Sequence, residues 1–141
     1  GNPEWEYCHN GGGGNNDLSF TSVELSSDGG YVVTCSRYST RYGLYDDTWS
    51  DSDGLLIKVG GQGNLQWEQT FGLYSTDTTA YNPGYGMGQD GIRSVKETND
   101  SGFIITGSTN SFDIEPFSLG NAFDVWLIKT DSEGNTVSYN D

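Results

Sequence analysis

Apolar residues in this chain come in short runs set between polar, glycine-rich stretches. Tyr31-Val32-Val33, Leu55-Leu56-Ile57, Phe103-Ile104-Ile105 and Val125-Trp126-Leu127-Ile128 are continuous rather than alternating. Successive side chains on a strand point to opposite faces, so such strands need cover on both sides. Turn residues bound them. Residues 23–26 and 31–36 flank Ser27-Asp28-Gly29-Gly30, whose glycines tolerate positive φ, and Asn99-Asp100-Ser101-Gly102 holds the same place further on. Residues 55–59 and 65–71 flank a second glycine-rich turn ending in Gly63-Asn64, and residues 125–130 run into Asp131-Ser132-Glu133-Gly134-Asn135. No stretch sustains a 3.6-residue period with caps, so the expected fold is all-β with essentially no helix.

The chain repeats itself. Ser22-Val23-Glu24-Leu25-Ser26-Ser27-Asp28-Gly29-Gly30-Tyr31-Val32-Val33-Thr34 returns as Ser94-Val95-Lys96-Glu97-Thr98-Asn99-Asp100-Ser101-Gly102-Phe103-Ile104-Ile105-Thr106. Asp53-Gly54-Leu55-Leu56-Ile57-Lys58 matches Asp124-Val125-Trp126-Leu127-Ile128-Lys129. A Gly-Asn pair occurs at residues 1–2, 63–64 and 134–135, and the first two are followed at equal spacing by Trp5 and Trp67. Two copies of one unit of about 70 residues are expected, residues 11–71 and 72–141, with residues 1–10 as a preceding outer strand. Each unit reads as four short antiparallel strands, and sheets stacked on one another cover both faces better than a two-sheet sandwich does.

The string Ser94-Val95 to Thr109, followed by Asp124-x-Trp126-Leu127-Ile128-Lys129-Thr130-Asp131-x-x-Gly134-Asn135, resembles the propeller-type repeats of bacterial and archaeal secreted proteins. That resemblance implies two tandem four-stranded blades, with the Gly-Asn turn leading into each outer strand, and it implies no catalytic residue. The first unit departs from the pattern at Cys35, which replaces the glycine seen as Gly107, and at Gly54 and Leu55, which stand where Val125 and Trp126 do. The tryptophan expected after Asn135 is missing, since Thr136-Val137 leads into Ser138-Tyr139.

Propellers close with roughly 4–8 blades, so two leave apolar faces open. The expected cover is copies of the same chain, as a homo-oligomer or filament, the remainder of a larger propeller, or the two units packing on each other. The first residues, Gly1-Asn2-Pro3 rather than Met, read as a processed or excised piece. Residues 1–10 then either complete the second blade of the same chain or are donated to a neighbour, which would link subunits head to tail.

Composition narrows the partners. Twenty acidic and six basic side chains give the 141 residues a net charge of −14, which leaves no basic cluster to neutralise phosphates and argues against nucleic acid and anionic membranes. No apolar run approaches the roughly 20 residues of a membrane span. Aromatic residues make up 13% of the chain, which sets it apart from charged disorder. Scarce lysine, abundant Gly, Ser, Thr and Asn, and only Cys8 and Cys35 point to an extracellular or cell-surface protein with one candidate disulfide. Thr70 and Gly107 match the two cysteines in the other repeat, so both thiols belong to one unit. Unpaired thiols are the alternative.

Candidate chemistry is sparse. Asp46, Asp47, Asp51 and Asp53 crowd one expected loop and would offer oxygen ligands to calcium, although their spacing does not match an EF-hand; a solvated acidic loop is the plainer reading. Tyr38, Tyr42, Tyr45 and Trp49 beside them would stack on sugar rings in a carbohydrate-binding protein, or simply pack. Residues 86–91 satisfy G-x-G-x-x-G, but a strand follows where a dinucleotide site needs a helix. His9 is the sole histidine, and its neighbour Cys8 points to the opposite face of a strand, so no nucleophile–base pair forms and no enzyme is expected. Asn99-Asp100-Ser101 is a glycosylation sequon at a hairpin tip.

Overall fold

A computed structural model describes residues 1–10, 16–42, 48–72, 89–110 and 123–136. It is all-β among those residues, with seven strands: β1 (Asn16–Leu25), β2 (Tyr31–Tyr42), β3 (Thr48–Val59), β4 (Leu65–Phe71), β5 (Gly91–Glu97), β6 (Phe103–Thr109) and β7 (Asp124–Thr130). The strands form two antiparallel sheets, β1-β2-β3-β4 and β5-β6-β7. Among the described residues the second sheet has three strands; residues 137–141, where most of the expected fourth strand falls, lie outside them. A single bridge from Thr130 to Thr136 stands where Val59 pairs with Leu65 in the first.

Four hairpin tips among the described residues close alike. In each, the first residue donates its amide to the carbonyl four residues on, and its own carbonyl accepts from the residue three on. Ser26 does so with Gly30 and Gly29, Gly60 with Asn64 and Gly63, Thr98 with Gly102 and Ser101, and Asp131 with Asn135 and Gly134. The fourth residue of every tip has positive φ, supplied by glycine at 29, 63 and 134 and by serine at 101 (φ 63°). Asp28 and Asp100 buttress their tips identically. Each carboxylate accepts the amide two residues on and a lysine from the third strand of its own sheet, Lys58 at 2.8 Å or Lys129 at 2.9 Å.

β2 and β3 extend well beyond the expected residues 31–36 and 55–59, pairing in continuous register out to Tyr42 opposite Thr48. Residues 38–42 and 48–53, read from sequence as loop, are strand instead. Their Thr, Tyr and Trp content suits extended backbone, and the opposed pair Arg37 and Asp53 is joined by an ion pair at 3.1 Å.

The sheets stack face to face. Val32, Leu56 and Phe71 of the first sheet bury with Ile92, Val95, Phe103, Ile105 and Ile128 of the second, flanked by Trp67 and Trp126. A bulge after Phe20 turns the Thr21 hydroxyl across this joint, where it donates to the Ile92 carbonyl at 2.9 Å; a matching bulge follows Ile92 in β5. At one rim the Ser27 amide and hydroxyl both donate to the Glu97 carboxylate, at 2.6 and 2.5 Å. Cys35, Leu55, Ile57 and Val59 form a second cluster on the opposite face of the first sheet, against Tyr7, Leu18 and Val33.

Candidate interaction surface

Each sheet has a back face, which for the first sheet is covered by the second, and a front face, which for the second sheet rests on the first. Repeat-matched residues meet different surroundings on these faces. On the back faces, Leu56 is 0% exposed while its counterpart Leu127 is 65% exposed, and Val125 stands 91% exposed where Gly54 lies against the neighbouring sheet. Among front-face residues, Ile92 and Val95 are 0% and 4% exposed, whereas their counterparts Phe20 and Val23 are 63% and 52% exposed. Lys58 is buried and Lys129 half-buried for the same reason. Each end of the stack therefore exposes apolar counterparts of residues in its internal joint, Phe20 and Val23 on the front and Val125 and Leu127 on the back, while Ile57, the front-face counterpart of Ile128, is buried with Cys35, Leu55 and Val59.

Residues 1–10 lie over the front face of the first sheet without forming a ladder. Trp5 packs on Tyr31 with ring centroids 5.6 Å apart and an interplanar angle of 59°; Trp67 packs on Phe103 at 5.8 Å and 59°. Each tryptophan also covers the positive-φ glycine of a hairpin tip, so that an added Cβ would fall 2.7 Å from Trp5 at Gly63 and 2.8 Å from Trp67 at Gly134. Residues 1–10 thus hold toward the first sheet the place that β4 holds toward the second. Tyr7 and His9 secure the segment: the Tyr7 hydroxyl lies 3.0 Å from His9 Nδ1, and His9 Nε2 lies 3.4 Å from Glu68. Burial first, then the Glu68 charge, pushes the Tyr7 phenol up. The N-terminal segment sits on the first sheet rather than on the outer edge of β7 in the same chain.

The other sequence-predicted residues scatter. Cys8 is exposed and Cys35 buried, both as free thiols, and burial pushes the Cys35 thiol up. Asp46, Asp47 and Tyr45 lie outside the described residues. Asp51 and Trp49 stand on β3 and Tyr42 on β2, while Tyr38 is an exposed β2 residue. Asp53 is buried and paired to Arg37. Among the described residues, no three His, Cys, Asp or Glu side chains gather as a metal site requires. Asn99 is exposed at its hairpin tip. Sequence reasoning missed the Ser27–Glu97 clamp and buried Asp90, which accepts from the Thr109 hydroxyl. No motif marks either of them, because their partners lie on other strands or in the other unit. No family model, curated protein or solved structure matches this chain.

Proposed function

We propose that the protein is a non-enzymatic, extracellular structural module whose two sheets are propeller-type blades and whose work is association with copies of itself, as in a surface filament or similar homopolymer. One observation carries this reading: Leu56, Ile92 and Val95, buried in the internal joint, have exposed apolar counterparts at the two ends of the stack in Leu127, Phe20 and Val23. Exposed apolar surface of this kind marks an interaction site, and unlike ends favour head-to-tail growth over a closed two-fold pair.

The net charge of −14 opposes association at low salt, so screening should strengthen it. Light scattering on the purified chain tests the reading. Multiples of 15.3 kDa that grow with salt and protein concentration are expected. A monomer under every condition would overturn it. That outcome would favour the competing reading, in which the faces are covered by further blades of a longer chain.

A further inference from the structure

We propose that residues 5–9 of one copy add as a strand to the second sheet of another copy, running along the outer edge of β7 from Lys129 to Val125, while the front face of the donor's first sheet seats on the acceptor's back face. This rests on the association reading above and names its contact.

The internal joint supplies the template. There, β4 belongs to the first sheet by its ladder to β3 and touches the second sheet through Trp67. Residues 1–10 already make the second half of that arrangement, with Trp5 seated on Tyr31 and Gly63, but lack the first half. The outer edge of β7 lacks the complementary part: among the described residues it pairs only through Thr130 to Thr136. An edge of unpaired amides and carbonyls is a ready acceptor for an added strand.

Sequence and register agree. Gly1-Asn2-x-x-Trp5-Glu6 repeats Gly63-Asn64-x-x-Trp67-Glu68, whereas the residues after Asn135 place Ser138 where the tryptophan belongs. In the first sheet, Lys58 opposes Trp67, Ile57 opposes Glu68, Leu56 opposes Gln69 and Gly54 opposes Phe71. Transferred to the joint between copies, these pairs become Lys129 with Trp5, Ile128 with Glu6, Leu127 with Tyr7 and Val125 with His9. Trp5 opposes a lysine as Trp67 does, and Glu6 opposes an isoleucine as Glu68 does. Thr130, the counterpart of Val59, already pairs with Thr136 of its own chain, so the added strand starts at Trp5 opposite Lys129. At the far end, Val125 is larger than Gly54 but His9 is smaller than Phe71, so the volumes partly offset.

A crosslink reads this register directly. In a Cys8→Ser background, a Val125→Cys chain is mixed with a His9→Cys chain and oxidised. One covalent dimer, reversed by reductant, is expected from the mixture, and a ladder of multiples from the chain carrying both substitutions. Leu127→Asp in the otherwise unaltered chain provides a second reading that leaves the donor segment intact: its circular dichroism should be unchanged while its mass falls to 15.3 kDa. Multimers that persist in Leu127→Asp and give no 9–125 crosslink would overturn this contact while leaving self-association standing. Monomers throughout, for the unaltered chain as well, would overturn both.

Discussion

Leu56 and Leu127 occupy the same position of the same repeat on the same face of their sheets, and one is wholly buried while the other is largely in water. Their immediate neighbours do not distinguish them, since each lies between an apolar residue and an isoleucine in a continuous apolar run. The difference is that the first sheet has a neighbour on its back face and the second has none among the described residues. Composition of a strand therefore reports the surroundings it suits, and the contrast between two matched strands reports which surroundings are missing.

The largest test of that contrast is a pair of truncations made at concentrations where the chain is monomeric. Leu56→Ala removes side-chain volume from the joint between sheets and should cost about 2–5 kcal/mol in urea unfolding. Leu127→Ala, on the open face, should stay within about 0.5 kcal/mol of the parent. Equal losses would mean that Leu127 is covered in the lone chain and would remove the central argument for association.

A smaller effect is expected at the next matched pair. A Cβ at Gly54 would fall 2.6 Å from Ile92 Cγ2, so Gly54→Val should overpack the joint and cost about 1–3 kcal/mol. Val125→Gly touches no joint within the chain, and there the cost should be only the lower strand propensity of glycine, under about 1 kcal/mol. Urea midpoints of the two variants give the comparison.

Much of this asymmetry is readable before any coordinates. The repeat identifies the matched pairs, the bounds of β4 follow from its flanking turns, and the continuous runs announce strands meant for cover on both faces. Gly54 also stands out as a departure from the repeat, but its reason, the close approach of Ile92, exists only once the sheets are stacked. The outer halves of β2 and β3 were illegible for a different cause. Ser, Thr, Tyr and Asp between residues 38 and 53 carry the composition of a loop, and what makes them strand is cross-strand pairing such as Arg37 with Asp53, which no local window contains. The seat of Trp5 was half legible: the Gly-Asn-x-x-Trp spacing gives its counterpart, but not that it packs on the first sheet without a ladder.

Acid should bear on both sheets and on the joint between them. The lysine and amide bonds to Asp28, the serine bonds to Glu97, and the threonine and lysine bonds to Asp100 hold all three carboxyls below the usual range. A carboxyl with a folded pKa below its unfolded one adds stability that is present above about pH 4 and lost as pH falls through the folded value. Melting temperature should therefore decline below about pH 4. Glu97→Gln should flatten that decline by removing the only one of these three carboxyls that spans the joint. An unaltered slope would place the acid sensitivity in the tips alone.

The smallest expected change distinguishes the tips themselves. Gly29 and Ser101 hold the same position of the same turn, with φ of 82° and 63°, and only the serine must hold its Cβ in a left-handed conformation. Side chains rarely adopt that region because Cβ crowds the following carbonyl, at a cost of about 1–2 kcal/mol. Glycine removes the strain but brings extra unfolded-state entropy, so Ser101→Gly should gain less than the strain alone, about 0.5–1 kcal/mol. The substitution also removes the Asn99 sequon, so unglycosylated protein is the proper comparison. Thermal unfolding should then show a rise of a few degrees for Ser101→Gly, while Gly29→Ser should lower the midpoint by a similar amount. If both substitutions destabilise, the serine tip has a compensation that the glycine tip lacks, and the matched turns are not interchangeable.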